Sequence, residues 1–115
     1  MSNDIRDTIL NAEDIPSERM TEWGVEFEVR GMTAGEASDF LAAVTDDAGK
    51  MDRKAWGPSL LIACLYQPGT DDKVFELADA EALARKSAAT SVKVANRAAV
   101  LSGIMGEDEV VEDFE

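Results

Sequence analysis

The residue types that usually carry catalysis are nearly absent from this 115-residue sequence: it has no histidine and a single cysteine, Cys64. Without histidine there is no imidazole general base, and neither a Ser–His nor a Cys–His nucleophile pair can be built. One thiol cannot make a zinc site. Cys64 sits inside Leu60-Leu61-Ile62-Ala63-Cys64-Leu65, where a cysteine behaves as a small buried hydrophobe. A lone cysteine also excludes an internal disulfide and fits a reducing compartment. The eight glycines are scattered at turns, with no Gly-rich phosphate cradle among them. Carboxylates are the one abundant catalytic type. Glu26 and Glu28 alternate along a strand and belong to a solvated outer face. Asp71-Asp72, with Asp79 nearby, lack the spacing and terminal glutamate of a calcium loop, so they mark a turn. The expectation is a protein with no catalytic, cofactor-binding or metal site, and not an enzyme.

A surface suited to a partner does stand out on the last helical stretch. At about 100° per residue from Val92, an apolar arc forms from Leu101, Val94, Met105, Ala98, Ala95 and Ala99. The opposite side holds Asn96, Val100, Lys93, Ile104 and Arg97. Lys93, Arg97, Val100 and Ile104 therefore make a mixed strip on the face expected to be wet, and such a strip marks a partner-binding surface. The competing structural reading makes Ile104 the hydrophobic contact of the helix C-cap and packs Val100 on the acidic segment that follows.

The elements that position these residues follow from periodicity. Ile5 to Asn11 predicts a short helix with Ile5, Ile9 and Leu10 on one side, closed by Pro16. Ser17 to Arg30 predicts a β-hairpin: Gly24 supplies the turn, and Val25, Phe27 and Val29 alternate with Glu26, Glu28 and Arg30. Thr33-Ala34-Gly35-Glu36 is a capping box that opens a helix near 34–46. A second helix is expected near 52–66, where Gly57-Pro58 either kinks it or starts it afresh. Third and fourth helices are expected near 77–86 and 88–102, the last ended by Gly103. The fold class is α+β, mainly α: about four helices with an N-terminal β-hairpin. The expected core comprises Val25, Phe27 and Val29 of the hairpin and Phe40, Leu41 and Val44 of the first long helix. Leu60, Leu61, Ile62, Leu65, Phe75, Leu83, Val94 and Leu101 complete it.

Charge narrows the partners. With 24 acidic against 11 basic residues the net charge is −13, which disfavours nucleic acid and anionic membrane as ligands. Six of the acidic residues fall in Glu107–Glu115, which holds no basic one; taking these six from the 24 leaves 18 against 11. The expected organisation is one globular domain over 1–106 and an acidic, flexible tail over 107–115, although Val110, Val111 and Phe114 are able to dock. No apolar run approaches the roughly 20 residues of a membrane span, and the N-terminus lacks a signal-peptide pattern. The expected site of action is the cytoplasm.

The order of these pieces resembles a family. Glu22-Trp23-Gly24, the alternating strand and Val29-Arg30-Gly31-Met32-Thr33 are similar to the front of bacteriophage tail assembly chaperones of the long-tailed, siphovirus type. The Pro-Gly-Thr-Asp turn, Val74-Phe75, Asp79-Ala80-Glu81-Ala82-Leu83 with Lys86-Ser87, and the closing Val100-Leu101-Ser102-Gly103-Ile104 continue the resemblance, which spans about Ile9 to Phe114. Gly57-Pro58 departs from it. The resemblance implies a chaperone that binds and solubilises the tape measure protein in the host cytoplasm and is not retained in the virion. It also implies a longer, frameshifted form that recruits tail tube protein. Homo-oligomers suit the same task. The alternative is a small acidic regulatory or adaptor protein that sequesters a basic partner protein.

Overall fold

The computed structural model describes residues 4–106. Helix α1 (Asp4–Asn11) leads through a linker to strands β1 (Ser17–Glu22) and β2 (Val25–Arg30). Then follow α2 (Ala34–Ala43), α3 (Arg53–Cys64) and β3 (Leu65–Tyr66). A 3-10 turn (Leu77–Asp79) runs into α4 (Ala80–Leu83), and α5 (Ala88–Leu101) is the last element. The class is the expected one, α+β and mainly α, with the hairpin in front of the helices. The expected division into a domain over 1–106 and a tail over 107–115 turns on a segment outside the described residues.

The hairpin closes over Trp23-Gly24, whose φ angles are 52° and 77°. Two left-handed residues in a two-residue loop match the right-handed twist of the strands; glycine adopts this freely, whereas tryptophan does so under strain. The antiparallel register sets Glu18 opposite Val29, Met20 opposite Phe27 and Glu22 opposite Val25. Strand alternation therefore puts these six on one face, the face that meets α5. Phe27 and Val29 are buried there, but Val25 is 56% exposed. It occupies the last pair before the turn, where little packs over it. Val25 was expected in the core and is not part of it.

Each helix end has a local cause. The Thr33 hydroxyl accepts from the Glu36 amide at 3.1 Å and the Thr33 amide donates to the Glu36 carboxylate at 2.9 Å, so the capping box opens α2 as expected. This helix stops at Ala43 rather than near 46, because the Asp46 carboxylate captures the amides of Ala48 and Lys50 at 2.9 and 2.8 Å and folds a loop instead. The Asp52 carboxylate accepts from the Lys54 amide and caps α3, which runs through Gly57-Pro58 as one element; the proline does not start a new helix. The third expected helix shrinks to the 3-10 turn plus the single turn of α4, because Ser87 caps α5 immediately afterwards.

A third strand was not expected. Helix α3 ends at Cys64, and Leu65 turns extended (φ −94°, ψ 131°) to pair with Val29, while Tyr66 pairs with Glu28. The sheet order is β1-β2-β3. Leu60, Leu61, Ile62, Cys64, Leu65 and Tyr66 are all buried, and a run buried on every side carries no period that separates helix from strand. Helix α3 packs chiefly on α5, whose Ala95, Ala98 and Ala99 are small enough to let it approach. Gly31 makes the other close approach: a Cβ there would collide with the Leu101 carbonyl oxygen.

Candidate functional site

The four residues of the expected strip have different surroundings. Arg97 donates from Nε and Nη2 to the two carboxylate oxygens of Glu18, at 3.0 and 2.9 Å. Lys93 Nζ lies 2.7 Å from the Glu22 carboxylate. Strand β1 thus turns its inward glutamates onto the two cations of α5. Val100 is half-buried. Ile104 closes the helix: its amide donates to the Ala99 carbonyl at 3.1 Å and the Gly103 amide donates to the Val100 carbonyl at 3.0 Å. These two bonds, with Gly103 at φ 76°, are a Schellman cap, and Ile104 packs on the core beneath it.

The groups weighed for chemistry have structural partners. Arg30 Nη1 donates to Asp71 at 3.1 Å, Nη2 donates to the Thr70 carbonyl at 2.6 Å, and Nε and Nη2 both reach Glu28 at 3.2 Å. Glu28 also accepts from the Gly69 amide at 3.1 Å, and this bond, ahead of Arg30, holds its carboxyl below the ordinary value. The Asp-rich turn is therefore clasped to the sheet. The Asp79 carboxylate accepts the Glu76 amide at 2.8 Å and shapes the 3-10 turn. Cys64 is buried, with the Ser102 hydroxyl 3.9 Å from its sulfur, and burial pushes its thiol up to about 11. A thiol of that kind stays protonated and unreactive near neutrality. Among the described residues no group of three or more His, Cys, Asp or Glu is placed to hold a metal. No helix among them is long and apolar enough to cross a membrane.

Among the described residues, two apolar grooves stand out on the surface. One, of about 430 Å3, lies between the hairpin residues Trp23, Val25 and Phe27 and the pair Val74 and Phe75. Trp23 and Phe27 face each other with ring centroids 6.1 Å apart. The other, of about 810 Å3, runs between α3 and α5, past Leu41, Met51, Trp56, Leu61 and Val92 to Ile104 and Met105. Leu41, another expected core residue, is 44% exposed on its margin. Grooves of this lining suit apolar side chains of another polypeptide, as when an amphipathic helix lies in a groove. Sequence reasoning missed both: their walls come from different elements, and the visible signals, Val25 and Leu41, were assigned to the core.

The fold is similar to that of a phage tail assembly chaperone. The particular likeness is to a solved structure of the bacteriophage HK97 tail assembly chaperone, with a TM-score of 0.57 over 87% of this chain and 98% of that one at 15% sequence identity. No protein-family model and no curated protein matches the sequence.

Proposed function

We propose that this protein is a tail assembly chaperone that binds and solubilises the tape measure protein during tail morphogenesis and leaves before the virion is complete. The observation that carries this reading is the shared fold, which extends over nearly the whole of both chains. The apolar grooves add a physical means. A long amphipathic client exposes apolar stripes before its tube forms, and many weak groove contacts along it give avidity while each remains displaceable. The host cytoplasm as the place, and a frameshifted form that meets tail tube protein, belong to the same reading. Lys93, Arg97, Val100 and Ile104 remain a proposed client surface, with the structural roles above in competition. The hairpin-side groove is the better placed contact, because Trp23 and Val25 are exposed at its edge.

The test is co-expression with the long helical protein encoded beside it. The expected result is a client that is soluble and co-purifies with this chain, and that precipitates when Val25→Asp charges the groove without emptying the core. A client that stays insoluble beside the wild-type chain sinks the reading.

A further inference from the structure

The last described residues already form part of the larger groove. At Gly103, with φ 76°, the backbone leaves the line of α5. Ile104 and Met105 follow, both half-buried, packed on the core and built into the groove wall. From there the groove continues to Leu41 and Met51, which are 44% and 52% exposed. Its lining includes Arg53, Lys54 and Lys86 and no acidic residue. None of these three cations forms an ion pair among the described residues.

We propose that the acidic end of the chain, residues 107–115, folds back within its own molecule and lies in the groove between α3 and α5. Its sequence sets three apolar side chains, Val110, Val111 and Phe114, among six carboxylates. The apolar three suit the groove, and the carboxylates suit the cations that line it. Val110 and Phe114 are four apart, the spacing with which an amphipathic turn anchors in such a groove. Charge selects the place. The rest of the chain holds 18 acidic against 11 basic residues, a net −7, so the segment is repelled over most of the surface and attracted here. Reach is sufficient: nine extended residues span up to about 30 Å, and α3, with 12 residues, is about 18 Å long. Because the segment is joined to the groove wall, its effective concentration there is high, and a few contacts hold it without the entropy loss of bringing two molecules together. A second polypeptide must displace it to enter, so it guards an apolar groove that would otherwise lie open. None of this depends on the chaperone reading.

The experiment is paramagnetic relaxation by a nitroxide attached at Glu115→Cys of the full-length, isotope-labelled chain; Cys64 is buried and stays unmodified. The amide signals of Met51, Lys54 and Trp56 should be lost. Those of Gly69 and Thr70, clasped to the far face of the sheet, should persist. A mixture of nitroxide-bearing chains without the isotope and isotope-labelled wild type should keep its groove signals, since the contact lies within one molecule. Arg53→Glu with Lys54→Glu should restore the lost signals. Both positions are exposed and in the first turn of α3, where acidic side chains favour the helix, and unchanged far-UV circular dichroism checks the fold. Deletion of residues 107–115 should raise the binding of anilinonaphthalene sulfonate several-fold by uncovering the groove. Groove signals that survive the nitroxide, or that are lost equally after the charge reversal, overturn the proposal. Dye binding unchanged by the deletion overturns it as well. Loss of the groove signals in the mixed sample assigns the groove to a second copy and overturns it too.

Discussion

The Arg30 guanidinium carbon lies 3.9 Å from the centroid of the Tyr66 ring, on the sheet face that points away from α5. From that position Arg30 ties three separate pieces of chain together: Glu28 of its own strand, Tyr66 of β3, and the turn at Thr70 and Asp71. The planar fork is needed for this, because a lysine ammonium cannot reach Glu28, Asp71 and a carbonyl at once while stacking on a ring. Arg30→Lys should cost roughly 1–2 kcal/mol in urea unfolding, with the Gly69 amide losing hydrogen-exchange protection first. Unchanged protection at Gly69 would show that the clasp does not hold the turn.

Gly31 sets how closely the hairpin meets α5. Its amide donates to the Pro16 carbonyl at 2.9 Å, and the Leu101 carbonyl occupies the space a side chain would need. Gly31→Ala must push strand and helix apart, and overpacking of this kind costs about 1–3 kcal/mol. A variant as stable as the wild type would mean that the two elements slide freely past each other.

These two contacts show what was and was not legible in the sequence. The capping box at Thr33, the hairpin and the helix stop at Gly103 are written locally, within four or five residues, and each forms as expected. Strand β3 is not, because Leu65 and Tyr66 become a strand only through Val29 and Glu28, more than thirty-five residues away. The surroundings of the strip on α5 were hidden for a related reason. A helical wheel placed Lys93 and Arg97 towards water, but Glu18 and Glu22 on alternate positions of β1 bring their carboxylates to them. The arrangement of α2, α3 and α5 that opens the larger groove is tertiary throughout.

Burial ranks the core. Leu61→Ala empties a fully enclosed site and should cost about 2–5 kcal/mol, whereas Leu41→Ala, on the groove margin, should cost under about 1 kcal/mol. Thermal or urea denaturation decides between them. Equal losses would mean that Leu41 is covered in solution, as a partner in the groove would make it.

The pH dependence has two arms. Burial raises the Cys64 thiol from 9.0 to about 11, and burial raises the Tyr66 phenol as well. A raised acid contributes stability that is complete below its unfolded value and is lost as pH rises through the folded one, so stability should fall between pH 9 and 11. Glu28 is lowered from 4.5, chiefly by the Gly69 amide, so its contribution is present above that value and fades as pH drops. Cys64→Ala should flatten the alkaline fall, and the native thiol should ignore a disulfide reagent at neutral pH until the chain is unfolded. Rapid labelling of the folded protein would contradict the burial of Cys64.

The double substitution Val100→Asp and Ile104→Asp separates structure from function on α5. Both side chains are half-buried, Ile104 lies against the core and lines the larger groove, and its amide completes the cap that ends the helix. Two carboxylates there lose apolar contact and meet the negative end of the helix dipole, which disfavours anions. The expected outcome is a loss of about 1–3 kcal/mol, visible as a lower melting temperature, with the fold retained at low temperature. The client experiment is then run in the cold, where the variant is folded. Retained solubilisation places the grip on the hairpin-side groove, and Val25→Asp should then abolish it. If the folded variant fails to protect the client while Val25→Asp still protects it, the grip lies on α5 after all, and the hairpin-side assignment falls.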